Sequence, residues 1–313
     1  MGKIFKLIIS RIFMTITVTD LHAHVTNHYD IIGNPKIPLI SKKDYRGFFN
    51  NPKNPTAQLL DHCFATAPRT LVGIINFDDN RGQMMFDEIR NSRSDYDQIR
   101  DHGVFMVVQR DDKQAGLLIG DEIQTDKGHI VIMAAEKNGE LQRPNTRKLL
   151  EVLKFGREYR GFIYVDHVLA EFGWIGAKIN KFMNGHDRLS LREEEIVEFK
   201  DYLDAIGIHD SNFGLRLGLK QAEIASKYKI PRIVTSDSHR IRDIFSSSMA
   251  LENLDYSGSQ PVKNSLREGI KPSNNSRYIR GETGILEALR DPISGIIATV
   301  GLKTGILTRE QSK

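Results

Sequence analysis

Cysteine is almost absent from this chain, which has 313 residues and one cysteine, Cys63. One cysteine cannot form an internal disulfide, so the sequence excludes the small secreted folds that disulfides hold together. It also excludes zinc fingers of the Cys₂His₂ and Cys₄ types, which need two or more thiolates. Any metal site in this protein must therefore be built from its ten histidines and its carboxylates.

Long apolar runs and a strong charge bias are also lacking. No apolar stretch approaches the ~18 residues that a transmembrane helix needs, so the sequence predicts no membrane partner. Lys and Arg total 44 against 40 Asp and Glu, which gives a formal net charge of +4. Such a slight excess permits an anionic substrate or nucleic acid but does not require either. The apolar share of 40% favours a folded chain over a disordered one.

The N-terminal segment MGKIFKLIISRIFM is similar to a short secretory signal, but Arg11 interrupts its apolar part and no small-residue cleavage site follows. A strand-like segment, TITVTDLHAH, begins directly after Met14. We therefore predict that Met1 to Phe13 is an extension outside the fold, with a basic helix that seeks a surface as the alternative. Residues 14–313 are then one domain, and the predicted location is cytoplasmic.

Short β-rich runs alternate with helical stretches along the chain, which is the pattern of a parallel α/β fold. The predicted strands are Thr15–Thr19, Leu71–Ile75, Val104–Val108, Gly116–Ile123, Ile130–Ala134, Phe162–Val165, Arg232–Thr235 and Ile296–Val300. The predicted helices are Gln58–Thr66, Gly82–Arg100, Asn145–Tyr159, Arg192–Ile206, Arg216–Tyr228 and Thr283–Leu289. Two polar stretches, Asn27–Asn54 and Ser246–Ser276, are predicted as loops, and neither is typical of a linker between domains.

Side chains that can bind metal lie at or just after the C-terminal ends of several predicted strands. They are Asp20, His22, His24, Asp78, Asp79, Glu122, Asp166, His167, Asp237 and His239. In a parallel barrel the carboxyl ends of the strands meet at one face, where active sites are built. Residues two apart in an extended segment point to the same side, so His22 and His24 can reach one ion, as can Asp237 and His239. Imidazole and carboxylate ligands suit zinc, manganese or iron.

Taken in order, these segments resemble the motifs of the PHP (polymerase and histidinol phosphatase) domain family of metal-dependent phosphoesterases. Asp20–Val25 (DLHAHV), with His28 and Asp30 downstream, resembles the family's D-L-H-x-H-T motif. Gly120–Thr125 (GDEIQT) and the following Gly128-His129 resemble its G-x-E-x-x-T and G-H motifs. Val165–His167 and Ser236–His239 (SDSH) resemble its A-H-P and S-D-A-H motifs. The resemblance covers residues 20–239, about two thirds of the chain.

The resemblance implies an α/β fold, a distorted TIM-like (β/α)7 barrel with metal ions at the C-terminal ends of its strands. The metal ligands that it implies are His22, His24, Asp30, Glu122, His129, His167, Asp237 and His239. We assign His22, His24, Glu122 and Asp237 to one ion. We assign His129 and His167 to a second ion that shares Glu122, and His239 and Asp30 to a third position. The cofactors implied are divalent ions of zinc, manganese or iron.

One motif departs from the family pattern. The family's G-I-T-D-H-D reads Gly73–Asp78 (GIINFD) here, so Phe77 stands where the family has a ligand histidine. A phenyl ring cannot coordinate a metal, so we expect two ions rather than three, with His28 or Asp78 as possible replacements. Because a lost ligand can abolish a metal position, an inactive relative of the enzymes stays open as an alternative.

The activity implied by the resemblance is hydrolysis of a phosphate ester, as a phosphatase or a nuclease-type phosphodiesterase. Two divalent ions ~3.5–4 Å apart can clamp phosphoryl oxygens and activate a bound water. The substrate would be a phosphorylated small molecule or a nucleic-acid end, and Arg240 and Lys127 are candidates to grip its phosphate. One alternative is a catalytically weakened module that binds nucleic acid or a separate partner ATPase. Another is an amidohydrolase-type barrel, which also opens with H-x-H and ends with a late Asp.

Overall fold

The computed structural model describes residues 16–24, 29–31, 55–76, 80–165, 191–208, 215–238, 241–271, 277–280 and 307–309. Several sequence predictions lie outside these described residues: the Met1–Phe13 extension, His28, Phe77, Asp78, Asp79, Asp166, His167, His239, Arg240, the helix Thr283–Leu289 and the strand Ile296–Val300. Within the described ranges, no helix is long and apolar enough to cross a membrane.

Strands and helices alternate through most of the described chain. The strands are β1 (Ile16–Ala23), β2 (Tyr29–Ile31), β3 (Arg69–Asn76), β4 (Gln98–Asp101), β5 (Phe105–Arg110), β6 (Lys113–Gln124), β7 (His129–Met133), β8 (Glu136–Lys137), β9 (Glu140–Leu141), β10 (Phe162–Val165), β11 (Ala205–Ile208), β12 (Arg232–Val234), β13 (Ser247–Glu252), β14 (Arg277–Arg280) and β15 (Leu307–Arg309). The α-helices are α1 (Pro55–Thr66), α2 (Arg81–Asn91), α3 (Leu149–Glu158), α4 (Glu193–Phe199), α5 (Leu215–Tyr228) and α6 (Ser259–Gly269). Short 3₁₀ turns cover Arg93–Asp95, Lys200–Tyr202 and Ile241–Asp243.

The largest sheet in the described part of the chain has 11 strands and curls toward closure. Its main path is β12-β11-β10-β7-β6-β3-β1-β13-β14, and β5 pairs with β6 while β4 pairs with β5. Just beyond β12, Ser238 forms a parallel bridge with Ala23 at the end of β1. The N–H of His24 donates to the Ser238 carbonyl at 2.7 Å. These contacts join the two sides of the sheet into a nearly closed, barrel-like structure, as expected of an α/β barrel.

The strand directions are mixed, which differs from the parallel sheet that the alternation predicts. The pairs β1–β3, β3–β6, β10–β11 and β11–β12 are parallel. Strand β7 runs antiparallel to both of its neighbours, β6 and β10. Only residues 125–128 separate β6 from β7, and a turn of that length cannot contain the crossover that parallel neighbours need. Strand β7 therefore begins at the same end of the barrel where β6 finishes.

Four predicted segments are wrong in their extent or type. The loop predicted for Asn27–Asn54 contains strand β2. The helix predicted for Gly82–Arg100 ends at Asn91, and β4 begins at Gln98. The helix predicted for Arg192–Ile206 ends at Phe199, and its last two residues open β11. The loop predicted for Ser246–Ser276 contains strand β13 and helix α6. This stretch is rich in Ser and Asn, which favours a loop. Helix α6 nevertheless forms, because it buries only one face and needs apolar residues at only a few positions to pack against the core.

Buried side chains cover both faces of the sheet, because residues alternate between the faces along each strand. Phe162 and Tyr164 of β10 belong to a cluster that draws residues from nearly every barrel strand and so fills the interior. Their neighbours Ile163 and Val165 face outward and pack in a second cluster with helices α3, α4 and α5. A third cluster holds α1 and α2 against the outer faces of β3 and β6. This layering leaves the ends of the barrel strands for polar groups.

Candidate metal centre

Five of the predicted ligands lie at one end of the barrel. His22 and His24 stand at the C-terminal end of β1, and Glu122 lies near the end of β6. His129 opens β7 and pairs with Gln124 across the β6–β7 hairpin, which brings it to the same end. Asp237 follows β12, beside Ser238 and its bridge to β1. Each of these five predicted ligands is less than a tenth exposed.

The ligand atoms of four of these residues converge. His22 Nε2 and His24 Nε2 are 2.9 Å apart. Asp237 Oδ1 lies 3.4 Å from His22 Nε2 and 3.6 Å from His24 Nε2. Glu122 Oε2 lies 3.7 Å from His22 Nε2 and 3.2 Å from His24 Nε2. Ligands at 2.0–2.2 Å from one tetrahedral ion are roughly 3.3–3.6 Å apart, so the buried group of His22, His24 and Asp237 could hold a metal ion, with Glu122 beside it.

A β-bulge in β1 places the histidines. Asp20 pairs with Val72 of β3 and Ala23 pairs with Ile74, so β1 carries one extra residue between these pairs. Gly73 lies opposite the bulge, and a Cβ atom at that position would fall 2.3 Å from the Leu21 carbonyl oxygen. Only glycine therefore lets the two strands meet here. Bulges redirect side chains near active sites, and this one contains His22 and ends one residue before His24.

Asp20 fixes the loop that carries Asp237. Its buried carboxylate accepts hydrogen bonds from the backbone N–H groups of His22 at 3.3 Å, Ser236 at 3.1 Å and Phe245 at 2.9 Å. Burial raises the pKa of Asp20, while these hydrogen bonds act in the opposite direction. Asp237 itself has φ of 46°, a left-handed conformation that Asp tolerates better than most residues. Asp20 thus acts as a positioning residue, a role that the sequence did not reveal.

Glu122 links the two histidines of β1 to His129. Its Oε2 faces His22 and His24, whereas its Oε1 contacts His129 Nδ1. Burial raises the pKa of Glu122, but the charge and hydrogen bond of His129 and the proximity of His22 and His24 outweigh it and hold the pKa well below its usual value. Glu122 is therefore a carboxylate at neutral pH, with Oε2 turned to His22 and His24 and Oε1 turned to His129.

Two neighbours of the centre were missed by sequence reasoning. Gln124 Oε1 lies 2.8 Å from His129 Nε2, so His129 is held on both nitrogens. The Tyr164 hydroxyl donates to the Leu21 carbonyl at 2.9 Å and lies 3.2 Å from His22 Nδ1. The signal for Gln124 was its place two residues after Glu122 on the same face of β6. The sequence signal for Tyr164 is weaker, since its alternation with Ile163 shows which face of the sheet it occupies but not which residue it contacts.

The remaining predicted residues are distributed as follows. Asp30 lies in β2, which pairs with β15 so that Asp30 stands opposite Thr308. His167 and His239 lie outside the described residues. Lys127, a candidate to grip phosphate, places its Nζ 5.2 Å from the centre of the Phe199 ring. The structure thus brings together His22, His24, Glu122, His129 and Asp237 out of the larger predicted set.

Comparisons with known proteins find structural likeness but no family. No family model and no curated protein matches the chain. Among solved structures, the chain is similar to the crystal structure of PsfC from Pseudomonas syringae PB-5123, with 13% sequence identity and a TM-score of 0.48. The similarity covers 92% of this chain and 100% of that one. A likeness of this size carries no information about activity.

Proposed function

We propose that the protein is a metal-dependent phosphoesterase of the PHP type, which hydrolyses a phosphate ester at the candidate metal centre. The observation that carries this proposal is the convergence of His22, His24 and Asp237 with the carboxylate of Glu122 in a buried site. The order of the sequence motifs supports the same chemistry. We further propose that the fold is a distorted (β/α)7 barrel and that His129, His167, His239 and Asp30 are further metal ligands. Because Phe77 stands where the PHP family has a ligand histidine, we expect two ions of zinc, manganese or iron.

The residues of the centre fit a divalent cation. Histidine nitrogens and carboxylate oxygens are the donors that zinc, manganese and iron accept. His22, His24 and Asp237 would hold one ion, and Glu122 would extend the site toward His129. When bound, a divalent ion supplies a Lewis acid for phosphoryl oxygens and lowers the pKa of a bound water.

The carboxylates of the candidate centre are ionised or held in position by the protein itself, without a bound ligand. Glu122 is already ionised, because His129 and the β1 histidines lower its pKa. Asp20 keeps the Asp237 loop against β1 by accepting hydrogen bonds from the backbone N–H groups of Ser236 and Phe245. Burial keeps bulk water from the ligand atoms, so the electrostatic attraction between the carboxylates and a cation is stronger than it would be at the surface.

The test combines metal analysis with hydrolysis assays. We expect the purified protein to contain a stoichiometric divalent metal and to hydrolyse p-nitrophenyl phosphate or bis(p-nitrophenyl) phosphate in the presence of Mn²⁺. The monoester and the diester separate a phosphatase from a phosphodiesterase. His24→Ala and Glu122→Ala should lose metal and at least about 100-fold in rate, since each removes a group at the centre.

A matched control replaces a histidine away from the centre. His102 stacks on Phe105 at the β4–β5 hairpin, and His102→Gln should keep both metal and activity. Wild type that is metal-free and inert, like the variants, would defeat the proposal. Binding of DNA that needs no metal and falls steeply with salt would instead favour the nucleic-acid-binding alternative.

A further inference from the structure

We propose that Tyr164 is a positioning residue that sets the tautomer and orientation of His22, so that Nε2 of His22 faces the metal centre with its lone pair. The inference deepens the proposed function and rests on it for the metal itself. It assigns a role to a buried tyrosine that the sequence motifs do not include. Tyr164 is not one of the ligand groups that the described residues bring together, and its proposed action is through His22.

The contact crosses the interior of the barrel. Strand β10, which carries Tyr164, pairs with β7 and β11, whereas β1 pairs with β3 and β13. The Tyr164 and His22 rings are 6.3 Å apart with an interplanar angle of 70°. Both residues are fully buried. A tyrosine side chain is long enough to span this interior, which its apolar ring fills while its hydroxyl reaches the polar end.

The hydrogen bonds around the hydroxyl fix the direction of each proton. A phenol has one proton, and Tyr164 donates it to the Leu21 carbonyl, which can only accept. The bond between Tyr164 Oη and His22 Nδ1, at 3.2 Å, must then take its proton from Nδ1. A neutral imidazole carries one proton, so Nε2 keeps a lone pair. That nitrogen is the atom that faces His24, Glu122 and Asp237.

The β-bulge explains why a hydroxyl is placed here. Leu21 and His22 lie in the stretch of β1 where the register to β3 shifts. The Leu21 carbonyl is buried, and Tyr164 supplies a donor to it from across the barrel. The Tyr164 hydroxyl therefore donates a hydrogen bond to the Leu21 carbonyl of the distorted strand and also orients the adjacent His22. Partners of this kind on the second nitrogen of a ligand histidine tune its affinity for metal.

The test compares two tyrosine-to-phenylalanine variants. Tyr164→Phe removes the hydroxyl that contacts His22. Tyr256→Phe is the matched control, because Tyr256 is also buried in the interior cluster and donates its hydroxyl to a backbone carbonyl, that of Thr70, at 2.6 Å. Each variant loses one buried hydrogen bond to a strand, so both should lose a similar amount of stability. Only Tyr164→Phe removes the partner of His22.

Two measurements decide the proposal. Long-range ¹H–¹⁵N correlation spectra of metal-free protein, with His22 assigned from a His22→Gln variant, should show the Nδ1–H tautomer in wild type and in Tyr256→Phe but not in Tyr164→Phe. Competition with a chromophoric chelator should show Co²⁺ binding about 10- to 100-fold weaker in Tyr164→Phe and unchanged in Tyr256→Phe. A merely structural role would lower the stability of both variants without changing either readout.

The outcomes separate this inference from the proposed function. Wild-type His22 protonated on Nε2, or Co²⁺ affinity of Tyr164→Phe within about twofold of wild type, would overturn the role of Tyr164. A protein that shows the expected tautomer and affinities but hydrolyses no phosphate ester would defeat the proposed function and leave the role of Tyr164 supported.

Discussion

Lys263 of α6 carries an amino group in the interior of the protein and does not belong to the candidate metal centre. Its side chain is fully buried, and Nζ donates to the Ala134 carbonyl at 2.6 Å and to Glu136 Oε1 at 3.2 Å. Burial lowers the pKa of Lys263, Glu136 acts in the opposite direction, and the nearby cations Arg267 and Arg160 add to the lowering, so that the net pKa is about 8. The folded protein therefore holds this proton less tightly than the unfolded chain does.

This difference predicts a dependence of stability on pH. Between pH about 8 and 10.5 the unfolded chain still binds the Lys263 proton while the folded protein releases it, so this residue's contribution to stability rises with pH. We expect the unfolding free energy of wild type, measured against that of Lys263→Met, to rise by up to about 1.4 kcal/mol per pH unit in that window. Urea unfolding of both proteins at several pH values tests this. A difference that stays constant or falls across the window would contradict it.

Single residues of the centre could be predicted where chemistry and strand position coincide. His22, His24, Glu122 and Asp237 each carry a metal-binding group near the end of a barrel strand, and the structure brings them together. Asp20 also lies near the end of β1, yet its carboxylate accepts hydrogen bonds from backbone N–H groups. It lies before the β-bulge, so it faces the loop that carries Asp237 and not the centre. Residue type alone does not distinguish these roles.

At the scale of elements, the bulge of β1 depends on one glycine of β3. Gly73→Ala would put a Cβ 2.3 Å from the Leu21 carbonyl oxygen, and backbone on both sides resists displacement. We expect this substitution to lower the unfolding free energy by about 1–3 kcal/mol, as overpacking does elsewhere. It should also weaken metal binding, since Leu21 precedes His22. Urea unfolding and metal titration are the measurements.

The control for this prediction is Gly269→Ala. Gly269 ends helix α6, and a Cβ there would meet only Leu251 side-chain atoms at 3.6 Å or more, which is ordinary contact. Alanine also has a better helix propensity than glycine, so stability should stay the same or rise. Equal losses in the two variants would show that the bulge does not need glycine at position 73.

Elements with dense apolar periodicity could be predicted, and those with sparse periodicity could not. Strand β10 and helix α5 stand within a residue of their predicted bounds. The stretch Ser246–Ser276 was predicted as a loop, because its polar composition hides the few apolar positions, such as Val262 and Leu266, that fix α6 in the interior cluster. The short turn between β6 and β7 is visible in the sequence, and its length alone requires an antiparallel pair.

At the scale of the molecule, closure of the barrel decides which groups meet. The convergence of strand ends could be predicted from the alternation of strands and helices, and the centre confirms it for the described residues. The contact between Tyr164 and His22 could not be predicted, because it joins strands that are not neighbours in the sheet and depends on the width of the interior. Periodicity tells which face a residue occupies, whereas a contact across the interior requires the three-dimensional arrangement.

Because the barrel closes at the candidate metal centre, we expect a bound metal ion to stabilise the whole fold. His22 belongs to β1 and His24 follows that strand directly. Glu122 belongs to β6, and Asp237 lies in the segment after β12 that bridges back to β1. An ion held by these groups ties together strands that are distant in sequence, at the place where the barrel closes. A ligand that binds only the folded state stabilises it by about 2.7 kcal/mol at 100 times its Kd.

We therefore expect Mn²⁺ or Zn²⁺ to raise the Tm of wild type by several degrees, and EDTA to reverse the rise. His24→Ala removes one ligand and should show little or no rise, whereas His102→Gln, at the β4–β5 hairpin, should respond as wild type does. Differential scanning calorimetry at fixed metal and protein concentration measures the shifts. Equal shifts in all three proteins would mean that the metal binds elsewhere, because only a site built on β1 makes the stabilisation depend on His24.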